Sequence, residues 1–147
     1  MELPDHPWIA THLAPLFIWT LPEAPSDEEL IDALQARERW AEQWQRPCAW
    51  LVDMRGLRAA PATQRKLFGE HIKRFEPHDI AHNQGTALVV PNKWLSGAVT
   101  AVFWLAQPKF PNRSFSDYQE GLDWALEQLA AVGESIASPP PAMHDSP

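Results

Sequence analysis

The apolar positions of this chain follow two rhythms in alternation: short dense runs, and longer stretches with helical spacing. Runs at 8–13 and 16–21 are rich in β-forming residues, and Ala14-Pro15 separates them. Proline cannot donate to a ladder, so two adjacent strands with a break between them are predicted. Ser26 and Glu29 then stand at capping-box spacing, with Asp27, Glu28 and Glu29 suited to the positive end of a helix dipole. Leu30, Ala33, Leu34, Ala41 and Trp44 share one face of that helix, which Pro47 stops. The run 48–52 is apolar on both faces, the mark of a buried and usually parallel strand. A second helix is expected from Pro61, burying Leu67, Phe68, Ile72 and Phe75 and ending at Pro77. The polar segment 78–84 reads as a loop, 86–90 as another buried strand, and 93–107 as a third helix. Residues 112–115 can form a short last strand. Ser116 and Gln119 then open a helix along Tyr118, Leu122, Ala125, Leu126, Leu129 and Val132, with Gly133 as its cap.

The order β-β-α-β-α-β-α-β-α, with four helices, implies an α/β fold on a mixed, largely parallel sheet. One domain over 8–133 is expected, after a short lead at 1–7. The segment 134–147 is rich in Ser, Pro and Ala, and is expected to be a disordered tail.

Composition narrows the function classes. The 147 residues are 45% hydrophobic and 21% charged, a globular balance. Net charge is −7, which disfavours nucleic acid as a partner unless the bases cluster, and they do not. Cys48 stands alone, so no internal disulfide forms. The first residues carry Glu2 and Asp5 instead of a basic signal region, and no apolar run approaches the roughly 20 residues of a membrane span. A cytoplasmic protein is expected, neither secreted nor transmembrane.

Candidate chemistry is sparse. No G-x-S-x-G, no Gly-rich phosphate loop and no nucleophile–base set occurs, so the protein is read as a non-enzyme. His71, His78 and His82 lack companions that would complete a metal site, and no cofactor is implied. Asp53, Arg55 and Gly56 follow a buried strand, where open α/β sheets take ligands or partners; otherwise Asp53 caps the turn and Arg55 is solvated. Arg37 interrupts an apolar helical stripe. Either it pairs with a carboxylate such as Asp53, or its stem lies on the core while its head reaches water.

The third helix has more apolar surface than one face requires. Trp94, Ala98, Ala101, Val102 and Leu105 make a core stripe, and Leu95, Val99, Phe103 and Trp104 exceed it. The face containing Trp94, Leu95, Val99, Phe103 and Trp104 is therefore a candidate subunit interface, possible homodimer contact or apolar groove.

Four phrases carry a resemblance: LVDMRGLRAAPATQRK (51–66), TALVVPN (86–92), SGAVTAVFWLAQPKFPNRSF (96–115) and GLDWALEQL (121–129). They resemble bacterial SpoIIAA-like proteins of the STAS fold, a group related to the CRAL-TRIO lipid-binding domains, over about residues 8–132. The resemblance implies a STAS-like sheet and a regulatory, protein-interaction role. Thr63, near the start of the second helix, takes the place where such antagonists are phosphorylated by a partner kinase. The CRAL-TRIO side implies the alternative, a carrier with an apolar groove for a small or lipid-like ligand.

Overall fold

The computed structural model describes residues 3–136. Five strands and five helices follow one another: β1 (Ile9–Ala10), β2 (Leu16–Thr20), α1 (Asp27–Gln43), β3 (Cys48–Asp53), α2 (Ala62–Arg74), α3 (Glu76–His82), β4 (Asn83–Val89), α4 (Lys93–Ala106), β5 (Asn112–Phe115) and α5 (Tyr118–Ala130). They form one mixed sheet in the order β1-β2-β3-β4-β5. Strand β1 is antiparallel to β2, and every later pair is parallel.

Because the parallel strands advance in one direction, crossovers of constant hand leave α1, α2 and α4 on one face. The helix after the last strand, α5, covers the other. The core accordingly has two parts. On the three-helix side Phe17, Trp19, Trp50 and Leu88 of the sheet meet Leu30, Trp40 and Leu95. On the α5 side Leu16, Ala49, Leu51, Ala87 and Val89 meet Ala125 and Leu129. Alternation along β2 and β3 feeds both faces, which is why both strands are apolar up to their last residues, Thr20 and Asp53.

Local chemistry sets the boundaries. Ser26 and Glu29 form the expected capping box, with Glu29 N–H donating to Ser26 Oγ and Ser26 N–H to the Glu29 carboxylate. Asn92 caps α4 by accepting from Leu95 N–H. On α5 the cap is Asp117, accepting from Glu120 N–H, one residue beyond the expected Ser116.

Helix α3 corrects the expected count of four helices and replaces the loop predicted for 78–84. Pro77 does not end a helix; it sits in the first turn of a new one, where its missing N–H costs nothing. Phe75 joins α2 to α3, and β4 begins three residues before the predicted Thr86. The first strand shrinks to two residues. Of the tail expected over 134–147, Glu134 N–H bonds Leu129 O and Ile136 packs against the α5-side core, while 137–147 lie outside the described residues.

Candidate functional site

Arg37 is 7% exposed and lies in the middle of α1. Its guanidinium is stacked between the rings of Trp40 and Trp50, 4.5 Å from each centroid. Its only acidic partner among the described residues is Asp79 of α3, with Nη2 donating to Oδ1 at 3.5 Å. Of the two alternatives for Arg37, the head does not reach water; it pairs with a carboxylate, but with Asp79 and not the suggested Asp53. Helix α3, absent from the sequence reading, supplies Asp79. Desolvation governs this pair. Burial lowers the Arg37 pKa against the pull of Asp79, and burial raises the Asp79 carboxyl more than Arg37 lowers it.

Beside Arg37 a partly enclosed cavity of about 150 Å³ lies between the sheet and the α1, α2 and α4 helices. Trp19, Trp50 and Leu88 form its floor. Leu30, Phe68 and Phe103 are among its apolar walls, and Arg37, His71, Asp79, Asn83 and Thr86 bring the polar groups. Helices α2 and α4 approach closely above it, since a Cβ on Gly69 would stand 4.0 Å from that of Ala106.

The polar atoms around this space are incompletely satisfied. Trp19 Nε1, Trp50 Nε1, Arg37 Nη1 and His71 Nδ1 are buried and find no hydrogen-bond partner among the described residues. Each such orphan costs about 1–3 kcal/mol. Asn83 and Thr86, in contrast, bond each other at 2.9 Å. Burial, then Arg37 and Arg74, holds His71 well below the ordinary imidazole range, so it is neutral at pH 7. This arrangement can retain an apolar molecule that offers acceptors.

Of the expected sheet-edge group, Asp53 and Arg55 come together and Arg37 stands apart. Asp53 and Arg55 bind one another, Arg55 Nε to Oδ1 at 3.0 Å and Nη2 to Oδ2 at 2.9 Å. Arg55 also stacks on Tyr118, 4.4 Å from its centroid, and its bond to Asp53 raises its pKa. Gly56 is exposed in the following turn, and Arg37 is elsewhere. The strand order also runs without a reversal, so this edge has no switch-point crevice. Thr63 is exposed in the first turn of α2.

Helix α4 divides the predicted face. Leu95 is buried, while Val99 and Phe103 are half-buried and line the cavity. Trp94 and Trp104 point outward with Leu105, Trp104 being 80% exposed. Of the predicted core stripe, Ala98 and Val102 turn inward but Trp94, Ala101 and Leu105 do not: the inward face is Leu95, Ala98, Val99, Val102, Phe103 and Ala106.

No family model, curated protein or solved structure matches this chain. The site is therefore read from its own geometry. His78 and His82, predicted in a solvated loop, occupy α3 with ring centroids 4.8 Å apart. His78 Nε2 lies 2.6 Å from Trp44 O. Among the described residues no three or more His, Cys, Asp or Glu side chains form a group able to hold a metal. Cys48 is buried at the start of β3, and burial pushes its thiol up to about 12. No described helix is long and apolar enough to cross a membrane. Sequence reasoning missed Asp79, and it weighed His71 only as a metal ligand. Arg37 inside an apolar stripe was the one usable signal.

Proposed function

We propose that the protein binds and carries a small, largely apolar molecule in the cavity beneath α1, α2 and α4, without turning it over. The observation that carries this reading is the cavity itself: an apolar space with unpartnered polar atoms in its wall. A void of about 150 Å³ can hold a benzene-sized ring. Native proteins leave few buried polar atoms unpaired, and four orphans around one space favour a binding role over a packing defect. The reading agrees with the apolar ligand groove implied by the CRAL-TRIO resemblance. Native mass spectrometry of the purified protein tests it. A retained or added small molecule held in one-to-one stoichiometry supports it, whereas a chain that binds no apolar probe at millimolar concentration overturns it.

A second reading, the SpoIIAA-like interaction module, is favoured by the outer face of α4. Trp94, Trp104 and Leu105 are all exposed there, an apolar group of the kind that marks protein contacts. Substituting Trp104→Glu leaves the cavity wall intact. It should therefore abolish any self-association or partner binding while leaving the fold unchanged. An oligomeric state identical in wild type and variant, measured by light scattering, removes this face from consideration as a self-contact.

A further inference from the structure

We propose that the molecule held in this cavity carries a carboxylate, and that its carboxylate is received by Arg37, Trp50 and Trp19. The inference rests on the carrier reading above and specifies its ligand class. Among the described residues six buried side-chain atoms lack a partner; four belong to residues lining the cavity, and three of those, Arg37 Nη1, Trp50 Nε1 and Trp19 Nε1, can only donate. No orphaned acceptor-only side-chain atom stands among them. The three side chains are neighbours: the Arg37 guanidinium lies 4.5 Å from the Trp50 ring centroid, which is 6.4 Å from that of Trp19. All three residues line the cavity and each is more than nine-tenths buried. Unpartnered donors are matched by a group that only accepts, and an ionised carboxylate offers two acceptor oxygens, while Asp79, the carboxylate that also lines the cavity, is already engaged by Arg37.

Charge supports the choice. Arg37 keeps its charge at any working pH, and a hydrogen bond from a charged donor to a charged acceptor is about twice as strong as a neutral one. Asp79 already engages the guanidinium, but through Nη2 and at the long distance of 3.5 Å, leaving Nη1 for the ligand. Leu30, Val52, Leu88, Val99 and Phe103 give the cavity an apolar wall beside its polar groups. The ligand is thus a small aromatic or branched-chain acid, with its hydrocarbon between the sheet and α4 and its carboxylate against Arg37.

Calorimetric titration and ligand-observed NMR on the full chain test this with benzoate, methyl benzoate and toluene. Benzoate should bind at least tenfold more tightly than either neutral probe. Arg37→Met keeps the length of the stem, and should remove the preference while toluene still binds. Because that variant alters the core, Trp50→Phe is the second measurement: it deletes one donor, keeps a ring, and should weaken benzoate several-fold with toluene unaffected. Equal binding of benzoate and toluene by the wild type overturns the carboxylate assignment and leaves the carrier reading standing. A Trp50→Phe variant that binds benzoate as the wild type does removes Trp50 from the receiving group and overturns the assignment as stated. Binding of none of the three probes overturns the assignment and the carrier reading together.

Discussion

Arg37 is held by stacking more than by pairing. Two indole faces at 4.5 Å each contribute on the order of 1–2 kcal/mol when desolvated, whereas the single bond to Asp79 is 3.5 Å long. The carboxylate still matters, because its removal leaves a buried charge without a counter-ion. Asp79→Asn should therefore destabilise the protein by about 3 kcal/mol in chemical denaturation. The double variant Arg37→Met, Asp79→Asn should recover much of that loss. A double variant no more stable than Asp79→Asn alone would show that the guanidinium is not the source of the penalty. The buried histidines give stability a pH dependence of known sign. His71 and His78 are both lowered, first by burial, so the folded state disfavours their protonation while the unfolded chain accepts it near pH 6.5. Their contribution is complete above about pH 6.5 and is lost as pH falls towards their folded values. Asp79, raised first by burial, acts in the opposite sense, its share being lost as pH rises from the ordinary carboxylate range through its folded value. The denaturation midpoint should fall between pH 7 and pH 5.5, and His71→Phe should flatten that fall. An unchanged slope in the variant would assign the effect to another group.

At the scale of elements, α5 can lie close to the sheet because residue 121 has no side chain. A Cβ there would stand 3.3 Å from Leu51 Cδ1 and 3.4 Å from both Phe115 Cδ2 and Val89 Cγ2. Alanine brings up to about 1 kcal/mol of helix propensity against that crowding and should come out near neutral. Gly121→Val adds two methyls and should cost about 1–3 kcal/mol by thermal or chemical unfolding. A valine variant as stable as the wild type would mean that α5 shifts freely on its face. Most elements were legible because their signals were local. The Ser26–Glu29 box, the two-sided apolar run of β3 and the spacing along α5 each need only their own residues. Helix α3 was not legible, because a proline after an apolar helix reads the same whether it ends that helix or opens the next. Helix α4 was legible as a helix but not in its orientation. With Trp94, Leu95, Val99, Phe103 and Trp104 all around it, the pattern has no phase, and the sheet decides which side turns in. The candidate site was harder still. Arg37 stood out in its stripe, but Asp79 is 42 positions away and His71 sits on another helix, so only the fold brings them together.

For the whole molecule, the unequal covering of the sheet matters most. One helix packs α5's face tightly, while three helices on the opposite face leave a space under the α2–α4 contact. A protein that fills this space with its own atoms should gain stability and lose its ligand. Ala98→Leu, on the inward side of α4, should raise stability by about 0.5–2 kcal/mol and weaken the binding of small apolar acids. A variant that is destabilised and still binds would place the ligand elsewhere. The outer edges of the sheet are both guarded against further pairing. Strand β1 is only two residues long, and β5 exposes Asn112, Arg113 and Ser114. Growth of the assembly through strand addition is thereby discouraged, which leaves the outer side of α4 as the prominent apolar exposure.

The aromatic cluster around Phe17 also makes the fold optically distinctive. Trp40 and Trp50 meet edge to face with centroids 4.8 Å apart, and Trp19 lies 6.4 Å from Trp50. Transition dipoles at such separations, fixed at defined angles in a chiral frame, couple strongly. The near-ultraviolet circular dichroism should therefore be unusually intense for a chain of this size, and it should collapse when side-chain packing is lost even if the helices persist.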